Sequence, residues 1–180
     1  LEEELGDGYI VRSGMRHSAP FIEDGVEELR THGCTKLIGV ILSPQYSAFI
    51  MDGYNKTLHA AARVHGYDLE NVSIAHPWPA ERHFIQFLAQ STSESLTALG
   101  DVPVVFTTHS LPERVVASDP SYLQQLADTQ NAILTQLPSL PTAYYAAYQS
   151  AGHSPEPWLT PDLLTYSRSY GKRVLLLILS

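Results

Sequence analysis

Apolar positions along the chain alternate between a helical and a strand spacing. Ile22, Val26 and Leu29 fall on one face of a helix predicted over Pro20–Thr31, with Gly33 as its stop. Lys36–Leu42 is a short apolar run broken by Ser43-Pro44, and it reads as a strand. Gly53–His65 places Tyr54, Leu58, Ala61 and His65 on one helical stripe, closed by Gly66. Glu70–Ala75 is a strand, and Pro79 opens a long helix through about Leu99. Val102–Thr107 is an apolar strand that runs into Thr108-His109-Ser110. Tyr122–Leu137 aligns Tyr122, Leu126, Ile133 and Leu137 as a helix, and Thr142–Tyr148 is a weaker strand. Thr160-Pro161-Asp162 combines a hydroxyl cap, a preset φ and an acid, the chemistry of a helix start. Lys172–Leu179 is a last strand of the kind buried on both faces, and Tyr9–Ser13 is a short β-type stretch. Strands alternating with helices predict βαβ units and a mainly parallel sheet, with a domain break near Gly100-Asp101.

Composition narrows the class. The chain has 180 residues, 44% of them apolar and 17% charged, which excludes a disordered polymer. Its net charge is −8, and no Lys or Arg occurs between Arg114 and Arg168, so no basic surface suits a nucleic acid or an anionic membrane. The single Cys34 leaves no internal disulfide and no thiolate metal cage. The longest apolar run, Val174–Leu179, is far shorter than the roughly 20 residues of a membrane span. The cytoplasm is the expected compartment. Both ends read as those of a piece of a longer protein: Leu1 opens the chain in place of Met, and the buried type of strand before Ser180 has nothing after it to cover it.

In open α/β sheets ligands bind beyond the carboxyl ends of the strands. The residues there are Arg16-His17, Ser43–Tyr46, His76–Trp78, His109-Ser110-Leu111-Pro112 and Gln149-Ser150. Glycine-rich nucleotide loops, a G-x-S-x-G elbow and H-E-x-x-H are all missing, so nucleotide binding, ordinary hydrolysis and zincin proteolysis lack their signal. His109 carries the most weight, because it follows the apolar strand directly and a neutral imidazole there binds a metal or accepts a proton. An isolated histidine is more often structural, and His17, placed after the first strand, has the same two readings. The other histidines form no metal-ligand spacing.

Five ordered blocks resemble the ferrochelatase family. They are Gly14-Met15-Arg16-His17 with Pro20–Asp24; Ser43-Pro44-Gln45-Tyr46-Ser47 with Tyr54-Asn55-Lys56; Thr108-His109-Ser110-Leu111-Pro112; Asp119-Pro120 with Tyr122; and Gln149-Ser150-Ala151-Gly152 with Pro155–Leu159 and Pro161. The Tyr54-Asn55-Lys56 and Pro155–Leu159 runs are closer to the soluble branch that prefers coproporphyrin III over protoporphyrin IX. The resemblance implies two flavodoxin- or Rossmann-like lobes with parallel sheets and a cleft between them. Residues 1–100 would belong to the N-terminal lobe and 101–180 to the C-terminal lobe, both incomplete. It implies insertion of Fe(II), a substrate and not a bound cofactor, into a porphyrin during haem synthesis. His109 matches the family's active-site histidine, either iron ligand or proton acceptor. Tyr54 matches a porphyrin-contacting tyrosine, His17 and Trp158 match residues lining or supporting the pocket, and Arg16 and Ser110 accompany them as porphyrin-binding candidates. The family's partner glutamate follows the last strand in a Pro-x-x-Phe-x-x-Asp-His-x-Glu run, which Leu177–Ser180 does not begin. The expectation is therefore an inactive piece whose unpaired sheet edges invite association. The alternatives are a porphyrin-binding remnant without catalysis, or a cobalt or nickel chelatase of the same fold.

Overall fold

The computed structural model describes residues 1–169 and 174–179. Its contacts divide the chain into two compact units, Leu1–Leu42 with Ala48–His76, and Ser43–Ser47 with Pro77–Ser180.

The first unit contains α1 (Glu2–Leu5), α2 (Ile22–Thr31), β1 (Leu37–Gly39), α3 (Ala48–Val64) and β2 (Val72–Ile74). β1 and β2 are parallel, with Leu37 opposite Val72 and Gly39 opposite Ile74. Val26, Leu37, Ala61, Ala62, Tyr67 and Val72 form the core, with Ile22, Leu29 and Leu58 packed against it. This is the apolar stripe of each helix facing the strands, as the spacing predicts. Both helices end on a glycine in the left-handed region: Gly33 at φ 80° and Gly66 at φ 70°. There Cys34 N–H donates to Leu29 O at 3.1 Å, and Tyr67 N–H to Ala62 O at 2.9 Å, so terminal carbonyls are satisfied.

Tyr9–Ser13 does not become a strand. Its backbone is engaged otherwise: Val11 N–H donates to Glu2 Oε1 at 2.5 Å, and Arg12 pairs with Glu2 and Glu28 at 3.0 and 2.6 Å. A carboxylate has taken the donor that a ladder would need.

The second unit contains α4 (Arg82–Leu99), β3 (Val104–His109), α5 (Glu113–Ser118), α6 (Ser121–Gln136), β4 (Tyr144–Gln149), α7 (Leu163–Ser169) and β5 (Leu175–Ile178). The sheet order is β4-β3-β5, parallel throughout. Val104 pairs with Tyr144 on one side and Leu175 on the other, and His109 pairs with Gln149. From Val104 to Thr108 every residue of β3 is buried. Ile85, Leu88 and Ala89 of α4 and Tyr122, Leu126, Ile133 and Leu134 of α6 complete the core.

Several expectations shift. α4 begins at Arg82 and not at Pro79, because the Glu81 carboxylate caps it by accepting Phe84 N–H at 2.8 Å. α7 is capped by Asp162, whose carboxylate accepts Leu164 N–H at 2.8 Å, and not by Thr160. The last strand is described over Leu175–Ile178, and Lys172 and Arg173 lie outside the described residues. It is not buried on both faces: Leu176 and Ile178 are 45% and 59% exposed, since β5 pairs with β3 alone among the described strands. The contacts also divide the chain at His76-Pro77 and not at Gly100-Asp101, so α4 groups with the second unit. Among the described residues no helix is long and apolar enough to cross a membrane.

Ser43–Ser47 groups with the second unit through α6. The Gln125 side chain accepts Tyr46 N–H at 2.8 Å and donates to Tyr46 O at 3.4 Å. The fully buried Gln45 donates to Thr129 Oγ1 at 3.2 Å, and that hydroxyl donates to Pro79 O at 2.8 Å. Thr129→Val leaves a buried amide without its acceptor. It should lower the unfolding free energy in urea by about 1–3 kcal/mol, more than the exposed Thr97→Val control.

Candidate active site

His109 is the last residue of β3 and the first of that strand to reach solvent. It stands between Thr108 and Ser110, which are 3% and 1% exposed. The imidazole is thus presented at the carboxyl end of the central strand, as the sequence predicts. The next residues leave the sheet under tight control. Ser110 N–H donates to Gln149 O at 2.7 Å, and Ser110 Oγ donates to Leu159 O at 3.2 Å. Leu159 N–H returns to Leu111 O at 2.9 Å, and Glu113 N–H donates to Pro157 O at 3.0 Å. Pro112 and Trp158 form an antiparallel bridge. Tyr148 N–H donates to Pro161 O at 2.9 Å, tying the far end of the same loop to β4. Ser110, a candidate contact by sequence, is in the structure a buried hydroxyl spent on a backbone carbonyl.

Trp158 is half-buried at this edge, on the loop stitched to the His109 turn. Its indole N–H donates to Ser154 Oγ at 3.2 Å. The ring lies against Gly152, where an added Cβ would stand 2.5 Å from Cζ2. The chain reaches Gly152 through Ser150 at φ 58°, a left-handed conformation uncommon outside glycine. Arg114 and Glu156 pair at 2.6 Å beside it. That guanidinium, helped by Ser154 Oγ, holds the Glu156 carboxyl below its ordinary value. Burial raises the Tyr148 phenol, with Tyr122 adding to it.

The first unit carries the other candidates. Met15 N–H donates to Pro20 O at 2.8 Å and Ile22 N–H to Met15 O at 3.2 Å, closing a turn that projects Arg16 and His17. Arg16 Cζ lies 5.3 Å from the centroid of the Tyr54 ring, a cation–π contact. The same guanidinium rests on Gly53, where any Cβ would overlap it. Among the described residues Arg16 forms no ion pair with a carboxylate. His17 is exposed on the same turn. Arg16 and Tyr54 are thus brought together, and His109, Ser110 and Trp158 share the strand-end edge of the second unit. Sequence reasoning named Gly53 as a helix start and Gly152 within a family block, but not as the bare surfaces on which Arg16 and Trp158 lie. Nothing in the local sequence at Gly53 signals a partner as distant along the chain as Arg16. Among the described residues no group of three or more His, Cys, Asp or Glu side chains is placed to hold a metal ion.

A parallel α/β sheet that ends its central buried strand on an exposed histidine defines a protein with its chemistry at the carboxyl edge. The chain belongs to the ferrochelatase family, whose sequence model matches residues 1–178. It is 34% identical over 154 residues to coproporphyrin III ferrochelatase 2 of Bacillus cereus, covering 83% of this chain and 47% of that protein. It is 34% identical over 179 residues to coproporphyrin III ferrochelatase of Geobacillus kaustophilus, covering 93% of this chain and 55% of that protein. The relative in Halalkalibacterium halodurans, with the same printed name, is 33% identical over 171 residues, 92% of this chain and 54% of its own. The chain spans about half the length of these curated relatives.

Gly152→Ala should displace the Trp158 ring. In a Trp78→Phe background, the indole emission should shift and its acrylamide quenching should change, while Gly8→Ala, with open space at its Cβ and no left-handed backbone, leaves both unchanged.

Proposed function

We propose that this chain carries the imidazole arm of a ferrochelatase site that inserts Fe(II) into coproporphyrin III. The observation that carries the reading is His109, exposed at the end of β3, which is buried from Val104 to Thr108. Insertion needs the macrocycle bent so that its nitrogens face the metal, two pyrrole protons removed, and iron stripped of water. An imidazole held at a strand end accepts a proton or presents the metal, and both roles use its neutral form. Iron is here a substrate that passes through.

The remaining candidates take the macrocycle. Tyr54 offers a ring face, and Arg16, already lying over that face, offers a guanidinium to the carboxylate side chains of a porphyrin. Trp158 offers an indole at the His109 edge, and His17 an imidazole beside Arg16. Ser110 acts by holding the turn after His109 to Leu159. The names of the relatives favour coproporphyrin III as the porphyrin. We place the protein in the cytoplasm, with catalysis completed by a carboxylate that the family resemblance puts after its last strand. The 180 residues alone are then expected to bind the porphyrin and to insert iron negligibly, since a misplacement of even ~1 Å costs on the order of 100-fold.

The test is coproporphyrin III fluorescence, with and without Fe(II), under anaerobic conditions. The purified chain should quench and shift the porphyrin emission, and Tyr54→Ala should weaken that binding about fivefold, the loss for one aromatic contact of about 1 kcal/mol. No binding by the unaltered chain would overturn the ferrochelatase reading. Binding without turnover, unaffected by a cobalt or nickel salt, supports it. Turnover abolished by His109→Ala would show that the imidazole arm suffices without its carboxylate.

A further inference from the structure

Thr107 lies two residues before His109 on β3 and is 1% exposed, yet its Oγ1 finds no hydrogen-bond partner among the described residues. A buried hydroxyl left in this way is costly, and native strands seldom keep one. Side chains at i and i+2 of a strand stand on the same face, so Thr107 and His109 point to one side of the sheet. On that face Thr107 is flanked by Ala147 of β4 and Ile178 of β5, and His109 by Gln149. Ala147 and Ile178 are apolar and take no hydrogen bond. Tyr145 shares this face one rung earlier, opposite Val105 and against Tyr166; at its carboxyl end the paired strands bring together the Thr107 hydroxyl, the His109 ring and the Gln149 amide.

The geometry points to Thr107 as a positioning residue that fixes the ring orientation and tautomer of His109 through one bridging water. Same-face residues on a strand are neighbours about 6.6 Å apart at Cα. Thr107 Oγ1 makes no direct bond to the ring, and a water between them has the hydroxyl, the imidazole and the Gln149 amide as partners. A hydroxyl both donates and accepts, so the water can hold one ring nitrogen while the other is left free. Which nitrogen carries the lone pair is set by the hydrogen bond its neighbour makes. This inference rests on His109 being the reacting imidazole, and it adds the device that points it.

The full chain, labelled with nitrogen-15 histidine, is read by long-range proton–nitrogen correlation at alkaline pH, where imidazoles are neutral. His109→Gln assigns the His109 signals. One tautomer of His109 should dominate. In Thr107→Val its ratio to the other should fall about fivefold, the change for a hydrogen bond of average net strength. Thr107→Ser should restore it, and the remaining histidines should keep their signals in both variants. Thr107→Ala repeats the test with a smaller side chain should the valine variant not fold. An unchanged His109 ratio in the valine or alanine variant overturns the inference, as does a shift common to all the histidines or a failure of Thr107→Ser to rescue. Coproporphyrin III binding is measured on the same samples. Its absence in the unaltered chain counts against the ferrochelatase reading and leaves the tautomer result standing.

Discussion

The site depends on β3 being buried along its length and hydrogen-bonded on both sides. Backbone groups shut away from water must find partners, and here β4 and β5 supply them from opposite edges. With both ladders parallel, the direction of β3 is fixed relative to its neighbours, and so is the edge at which it leaves the sheet. Val104, Val105 and Phe106 are 0%, 0% and 2% exposed, so the strand cannot slip by a residue without moving a polar side chain into the apolar layer. His109 is exposed because it is the first position past that layer. Its placement follows from packing several residues earlier, and the imidazole itself contributes nothing to it.

Backbone hydrogen bonds and close packing hold the Trp158 loop, with charge in a minor role. Arg114 and Glu156 pair at 2.6 Å, but the arginine is 65% exposed, and exposed pairs of this kind contribute at most about 1 kcal/mol. Three main-chain hydrogen bonds and the Ser110 hydroxyl join residues 157–161 to the 110–113 turn and to β4. Each is modest alone. Together they leave the loop little freedom, and the bare Cα of Gly152 then admits the indole. The unusual backbone at Ser150 is the cost of bringing Gly152 beneath the ring. The loop would therefore persist at high salt, where an ion pair would be screened.

What the sequence made legible were features with a local cause. The apolar stripes of α2, α3 and α6 lie within one helix each, and Gly33 and Gly66 sit at positive φ where the stops were expected. β3 and His109 were legible because an apolar run followed by polar residues is itself local. Features with a distant cause were not. Tyr9–Ser13 has strand composition, but whether it pairs is decided by Glu2 and Arg12 with Glu28. Pro79 looks like a helix start until Glu81 offers a better cap. Ser43–Ser47 reads as a break after a strand, and its allegiance to the second unit comes from Gln125 and Thr129 on α6 and from Trp78 N–H on Pro44 O. Arg16 and Tyr54 were both named from a family resemblance, yet their contact over Gly53 joins two segments that no periodicity relates.

Thr107 shows where stability and function part. At a position that follows Val105 and Phe106 in the strand and has Ala147 and Ile178 as lateral neighbours, packing alone favours valine. Valine has the same shape as threonine and no hydroxyl to desolvate, and a buried hydroxyl without a partner costs about 1–3 kcal/mol. The cost falls if a water satisfies the hydroxyl, and such a water persists only where other polar groups hold it. At the carboxyl end of this face the polar groups are His109 and Gln149, where the chemistry lies. Threonine at this position is then explained by the imidazole it orients, and the destabilisation is confined to the last three residues of the strand that carries His109.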